Sequence, residues 1–236
     1  VLENPIIQTV FINGVKSKKI KESIQNVLIL KDRSSFNIIN ARRDELSIIN
    51  LLKESGYYFS KIESSINELK NNKINLTYFI DIGDKAKISK ISFIGDKKFK
   101  DSKLKSLIAS EEYKFWKIIS GKKFLNEKLI NFDKRLLNNF YKNKGYYKAN
   151  IESSFANYLG NNNFELIFNI NANDKYYFNT MKLNLPADFD PDNFINLTDI
   201  FDDLKGKPYS LNSISDILDE IDLIPLNEQY EFLTST

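Results

Sequence analysis

Apolar residues at every second position mark two strands of this chain. Ile74, Leu76, Tyr78 and Ile80 share one face, and Phe164, Leu166, Phe168 and Ile170 repeat the pattern 90 positions later. A period of two belongs to a sheet with one buried face. Ahead of each strand lies a turn rich in Asn and Gly, Asn71-Asn72-Lys73 and Gly160-Asn161-Asn162-Asn163, so each strand closes a hairpin. Further upstream the period becomes that of a helix. Leu46, Ile49 and Leu52, with Ile48, line one helix, and Leu129, Phe132, Leu136 and Phe140 line its counterpart. Gly56 and Gly145 stand where a residue of positive φ would end each of them. A shorter helix comes before. Ser17 caps one, with Ile20, Ile24, Val27 and Leu28 on its face; Asp101 or Ser102 caps the other, with Leu104, Leu107 and Ile108. Each copy opens on a strand that a glycine ends, Ile7 to Ile12 before Gly14 and Ile88 to Ile94 before Gly95.

The same text is therefore written twice. Gly56-Tyr57-Tyr58-Phe59-Ser60-Lys61-Ile62-Glu63-Ser64-Ser65-Ile66 returns 89 positions on as Gly145-Tyr146-Tyr147-Lys148-Ala149-Asn150-Ile151-Glu152-Ser153-Ser154-Phe155. Gly14 and Gly95 are only 81 apart, so the second copy carries an insertion in its middle. Asp84-Lys85 and Asp174-Lys175 each open a new copy, which predicts units at 1–83 and 84–173. The order in each is β-α-α-β-β, an α+β fold with a three-stranded mixed sheet and two helices on one face. Repetition of this kind describes an array of small modules rather than one enzyme domain. A third, partial unit spans 174–236. Phe178, Met181, Leu183 and Leu185 predict its first strand, and Asp190-Pro191-Asp192 starts a short helix. Ser210 caps a second helix faced by Leu211, Ile214, Ile217, Leu218 and Ile221. Tyr230 to Thr236 leaves room for one strand, so the closing strand is missing and the unit is truncated or rearranged.

Composition narrows the chemistry. The chain has no Cys and no His, which removes thiolate catalysis, disulfides, zinc sites built on those residues and every imidazole base. No carboxylates pair at a telling spacing, and Gly14, Gly95 and Gly121 are turn residues rather than a phosphate cradle. No enzyme activity, cofactor or metal is expected. A net charge of +3 is small for 236 residues, and the lysines, scattered among Asp and Glu, read as a solvated surface. Nucleic acid is not an expected partner, since a single-strand binder would place its aromatics on the exposed sheet face and the alternation turns most of them inward. No apolar run approaches the roughly 18 residues of a membrane-spanning helix. Val1 opens in what reads as the tail of a strand and not in a secretion leader, so the chain is expected to be an excised fragment.

The residues Ile91-Ser92-Phe93-Ile94-Gly95-Asp96-Lys97-Lys98-Phe99, then Phe115-Trp116-Lys117-Ile118-Ile119-Ser120-Gly121-Lys122-Lys123-Phe124, then Phe140-Tyr141-Lys142-Asn143-Lys144-Gly145-Tyr146 carry a resemblance. With the β-α-α-β-β order they resemble the polypeptide-transport-associated (POTRA) domain, as found in the periplasmic arm of bacterial outer-membrane β-barrel assembly factors. The Trp-containing insertion is similar to that of the third domain of such an arm, so the units would be its second, third and part of its fourth. Glu3-Asn4-Pro5 resembles the junction after the first domain. The resemblance is weakest after Gly206, where the Gly-Tyr step is absent. It implies a periplasmic location and a role in docking partner lipoproteins and unfolded outer-membrane proteins. It also implies membrane attachment only through a C-terminal barrel that this sequence does not contain. A related arm of the two-partner secretion type shares the same pattern.

If the last strand of each unit pairs in parallel with the first, it takes the centre and the second strand becomes an edge. Such an edge accepts another chain by β-augmentation. The predicted edges are Tyr58, Phe59, Ser60, Lys61, Ile62 and Glu63 in the first unit. In the second they are Tyr146, Tyr147, Lys148, Ala149, Asn150, Ile151, Glu152, Ser153 and Ser154. Docking, plain solvent exposure, self-pairing edge to edge and a purely structural spacer stay open for these strands. Tyr57 and Tyr146 read as core or helix-packing aromatics in preference to ligand contacts. Phe115 and Trp116 form a candidate contact loop, set against packing onto its own helices or bracing a neighbouring unit.

Overall fold

The structure, a computed structural model, describes residues 4–114, 116, 120–185 and 189–228, with the backbone alone at Ser153 and 224–228. The order is β1 (Ile6–Asn13), α1 (Lys18–Val27), α2 (Ile38–Glu54), β2 (Lys61–Leu69), β3 (Lys73–Asp81), β4 (Lys87–Asp96), α3 (Asp101–Lys105), α4 (Glu127–Lys142), β5 (Asn150–Gly160) and β6 (Asn163–Asn171). Two further helices, α5 (Ile195–Leu204) and α6 (Leu211–Glu228), close the chain. In the first sheet β3 is central, parallel to β1 and antiparallel to β2. The second sheet has the matching order β4-β6-β5. Grouped by contact, the chain forms two compact units, Val1–Ile91 with Ala109–Asn131 and Ala156–Leu166, and Ser92–Ile108 with Phe132–Phe155 and Ile167–Thr236.

In the first unit the alternation of β3 does what its sequence dictates. Ile74, Leu76, Tyr78 and Ile80 are buried beneath α1 and α2, and Ile7, Ile12, Ile24, Leu28, Leu30, Ile48 and Leu52 complete the core. Ser17 caps α1 through its hydroxyl, 3.4 Å from the Ile20 N–H, and Val27 stays exposed. The buried face of α2 agrees with the expected one at Ile48 and Leu52 and departs from it at Leu46. Ala41, Asp44, Ile48 and Leu52 turn inward, and Leu46 is 60% exposed. A carboxylate occupies a core position here, which an apolar count along the helix does not register. Asp44 accepts the Ile29 and Leu30 N–H groups at 2.7 and 3.0 Å and the Tyr78 hydroxyl at 2.8 Å.

In the second unit Phe93 stacks on Phe168 at 5.6 Å between ring centroids, and the Tyr141 hydroxyl donates to the Lys97 carbonyl. The buried face of α4 lies one step away from the expected one. Asp133, Leu137 and Tyr141 are buried, while Phe132 is exposed. Asp133 follows Asp44 by 89 positions, so the buried carboxylate belongs to the repeat. The short helix α3 starts after Lys100 with no side-chain cap; Asp101 lies inside its first turn and pairs with Lys97 instead of capping. The turn between β5 and β6 is Asn161-Asn162, both at positive φ, the conformation a two-residue hairpin requires.

The segment from Phe178 to Leu185 forms no strand. Among the described residues its backbone meets the 206–208 turn, through Phe178 N–H to the Lys207 carbonyl (2.9 Å) and Gly206 N–H to the Phe178 carbonyl (2.8 Å), next to one bridge between Tyr177 and Pro208. Among the described residues that follow it there is no hairpin whose ladder it could join. Leu183 and Leu185 still pack onto Phe194, Leu197 and Ile217 beneath α5 and α6. Asp190 caps the Pro191–Phe194 turn and Ser210 caps α6, as expected. Leu218 is exposed rather than on the packed face. Glu3 and Tyr230 to Thr236 lie outside the described residues.

Candidate protein-binding edges

Each sheet has one edge closed by the chain itself. Along β1, Ile7 exchanges hydrogen bonds with Ser34 (2.9 Å) and Arg33 (2.7 Å), Phe36 N–H donates to the Pro5 carbonyl (2.8 Å), and Val10 N–H donates to Asp32 Oδ1 (2.8 Å). Along β4, Tyr113 N–H donates to the Ile88 carbonyl (2.6 Å) and Ile91 N–H to Glu112 Oε1 (3.0 Å). Segments between the helices therefore blunt both first strands. The second strands are different. Among the described residues, no strand or bridge pairs with the outer side of β2 or β5.

The direction of that open edge can be read from two capped positions. Ser64 N–H donates to Glu45 Oε1 of α2 at 2.9 Å, and Ile151 N–H donates to Asn138 Oδ1 of α4 at 3.2 Å. Both point away from the sheet. Because peptide direction alternates in an antiparallel strand, Ile62, Ile66 and Glu68 of β2 share the outward orientation of Ser64. Lys61, Glu63, Ser65 and Asn67 pair with β3, and their side chains face solvent. On β5, Glu152 is held by Asn169 and Asn171 Nδ2, both at 3.1 Å.

Of the predicted edge residues, Lys61, Ile62 and Glu63 fall on β2, and Asn150, Ile151, Glu152, Ser153 and Ser154 on β5. Tyr58, Phe59, Ser60, Tyr146, Tyr147, Lys148 and Ala149 do not; they form a turn ahead of each strand. The turn is tied by the Ser60 hydroxyl to the Tyr57 carbonyl (3.2 Å) and Ala149 N–H to the Tyr146 carbonyl (2.9 Å). That geometry keeps these residues out of the ladder and turns them to a different use. The Gly56 carbonyl accepts the Ala86 N–H at 2.8 Å, and the Gly145 carbonyl accepts the Tyr176 N–H at 2.7 Å. Tyr58 and Phe59 approach Phe164 (6.4 and 6.0 Å), Phe59 approaches Tyr158 (5.5 Å), and Tyr147 meets Tyr209 edge-on at 5.0 Å. Each turn thus docks onto the repeat that follows it. Burial, with the nearby Glu127 carboxylate, raises the Tyr58 pKa. Tyr57 and Tyr146 serve packing: Tyr57 lies against the first core and Tyr146 meets Tyr141 and Phe99 edge-on. Trp116 is 62% exposed, with the Lys114 ammonium 5.7 Å from its ring centre, and Phe115 lies outside the described residues.

The family model described as a surface antigen variable number repeat, POTRA, matches residues 5–83 and again 86–173. The chain belongs to the POTRA family. Among curated proteins, it is 28% identical over 159 residues to the outer membrane protein assembly factor BamA of Neisseria meningitidis serogroup B, covering 64% of this chain and 19% of that protein. It is 26% identical to the BamA of Buchnera aphidicola over 159 residues, covering 66% of this chain and 26% of that protein. The chain thus spans about a fifth to a quarter of the length of these relatives. The crystal structure of Haemophilus influenzae BamA POTRA3-5 superposes with a TM-score of 0.50 at 14% identity, covering 98% of this chain and 89% of that one. That likeness concerns the fold.

Two features of these POTRA repeats escaped sequence reasoning. One is the pair of buried carboxylates, although their 89-residue spacing was available as a signal. The other is the use of lysine at the joint between the repeats. Lys85 Nζ lies 5.1 Å from the ring centres of both Tyr57 and Phe124, and the buried Lys123 lies 5.0 Å from that of Tyr113. These lysines bring their charge over aromatic faces, where the ring quadrupole attracts it, instead of into open solvent.

Proposed function

We propose that this chain is a non-enzymatic, periplasmic interaction arm, organised as POTRA modules at 1–83 and 84–173 and a partial module at 174–236. In an arm of this family they take the places of the second, third and part of the fourth module. The arm docks partner lipoproteins and unfolded outer-membrane proteins for barrel insertion, by β-augmentation at the outer sides of β2 and β5. One observation supports this reading: in each sheet the chain closes the first-strand edge, and among the described residues no strand or bridge pairs with the outer side of the second strand. An open edge binds through backbone groups, so it accepts many sequences, as a handler of varied barrel precursors must. The name of the relatives, outer membrane protein assembly factor, supports a role in outer-membrane protein assembly.

The joints at Gly56 and Gly145 favour a second reading, a structural spacer without substrate binding. One titration separates the two. An extended peptide taken from a barrel strand, added to the isotopically labelled chain, should shift the outward amides of Ile62, Ser64, Ile66 and Glu68 and leave Glu63, Ser65 and Asn67 nearly still. No shift at saturating peptide supports the spacer, and a shift without alternation excludes augmentation. Shifts of the same amides on raising protein concentration alone would point to edge-to-edge self-pairing.

A further inference from the structure

The outer side of β2 is not uniform along its length. Of its outward amides, that of Ser64 already has a partner, the Glu45 carboxylate of α2 at 2.9 Å. This carboxylate stands where a docked strand places a carbonyl, so an incoming chain displaces Glu45 from Ser64. The fate of the released charge then decides which chains dock well. Asp44, beside it on α2, is already committed to Ile29, Leu30 and Tyr78. Glu45 is half-buried. Among the described residues no ion pair joins it to a lysine or arginine, and its second oxygen has no protein donor. A carboxylate that gives up its donor while a strand closes over it loses hydration as well. A cation on that strand offsets the loss through a charge-assisted bond.

The register says where that cation belongs. Ser64 is paired with the buried Tyr78, and cross-strand partners share a face, so the Ser64 side chain lies on the face that the helices cover. A residue seated opposite Ser64 projects to the same face, whether its strand runs parallel or antiparallel, and arrives beside Glu45. Residues two positions to either side of it lie opposite Ile62 and Ile66. Ile62 packs against the first core, and Ile66 is 46% exposed, so both of those positions favour apolar side chains. We propose that the β2 edge selects extended segments of the form apolar-x-Lys/Arg-x-apolar, with Glu45 as the residue that reads the central cation. This rests on the augmentation reading and names the class of segment that the first edge takes. The second edge lacks the device. The repeat offset of 89 carries Glu45 onto Lys134 and Ser64 onto Ser153. The cap on β5 is a neutral amide, Asn138, bonded to Ile151 instead. The two edges of one chain therefore differ in the charge they accept.

Three extended peptides of this form that differ only at the central position (Lys, Gln or Glu) test it on the isotopically labelled full chain. At the outward amides of Ile62, Ser64, Ile66 and Glu68 the Lys peptide should bind about fivefold more tightly than the Gln peptide, the factor that an ion pair at a part-exposed site supplies. The Glu peptide should bind more weakly than both. High salt should remove most of the difference. Glu45→Gln keeps an oxygen for the Ser64 N–H and removes the charge, so the Lys and Gln peptides should bind that variant alike. The outward amides of β5, Ile151 among them, should show no preference for Lys in either protein. Equal binding of the Lys and Gln peptides to β2 of the parent chain overturns the inference and leaves augmentation standing. A Lys preference that survives Glu45→Gln, or that appears equally on β5, does the same. If none of the peptides shifts an outward amide, augmentation itself fails and the inference falls with it.

Discussion

Asp44 shows how one polar residue fixes a small core. It is wholly buried, and its two oxygens take the Ile29 and Leu30 N–H groups and the Tyr78 hydroxyl. It thereby ties the turn after α1 to α2 and to the central strand in one contact. Removing it leaves three donors without a partner, and each unsatisfied buried group costs about 1–3 kcal/mol. Asp44→Ala should therefore lower the denaturant midpoint by far more than Tyr78→Phe, which deletes a single hydrogen bond worth about 1 kcal/mol. Tyr78 also sets a pH dependence. Burial first, then its hydrogen bond to Asp44 and the charges of Asp44 and Glu45, raise its pKa above the ordinary 10.0. The folded chain then keeps a proton that the unfolded chain loses, so this stability is complete below pH 10 and declines as pH rises past it. The slope is at most about 1.4 kcal/mol per pH unit for one group. Chemical unfolding at pH 9 and pH 11 should show a smaller alkaline loss in Tyr78→Phe than in the parent chain.

At the scale of elements, legibility followed the kind of signal each carried. The strands β3 and β6 alternate cleanly, and every apolar residue read as inward is buried. The sheet order was legible only as a condition, since alternation does not say which strands pair; the structure puts β3 and β6 at the centre of their sheets. The face of α4 was misread by one step and that of α2 at Leu46, because Asp133 and Asp44 count as polar in the pattern yet lie inside. The starts of β2 and β5 were placed too early, since nothing in Gly-Tyr-Tyr says that its glycine carbonyl bonds to the next repeat. The edge of β2 permits a substitution test of its own. Proline removes one N–H and is tolerated on the outer side of an edge strand, but not where the ladder needs the donor. Ile66→Pro should leave stability nearly intact and weaken strand-peptide binding. Ser65→Pro, one residue earlier and bonded to β3, should destabilise the chain by about 3 kcal/mol. Equal losses from the two would mean that the outward assignment of Ile66 is wrong.

At the scale of the whole chain, the Gly-aromatic turns make the repeats interdependent, and two glycines allow that dependence to be measured. Gly145 and Gly160 sit at nearly the same left-handed φ, +96° and +92°. A side chain forced into such backbone costs about 1–2 kcal/mol wherever it occurs. Their surroundings differ. A Cβ on Gly145 would stand 2.9 Å from Lys175 Cγ and 3.1 Å from the Tyr176 carbonyl oxygen, whereas one on Gly160 would meet nothing within 4 Å. Gly160→Ala therefore reports strain alone, and Gly145→Ala reports strain together with a wedge driven between the turn and the residues that follow Asp174. Both variants should lower the denaturant midpoint. Only Gly145→Ala should speed tryptic cleavage after Lys175, whose stem must move aside and whose neighbour Tyr176 is the donor to the Gly145 carbonyl. If Gly160→Ala speeds cleavage at that bond equally, the turn contributes no more than a helix end, and the joint is held by the Tyr147, Tyr176 and Tyr209 rings.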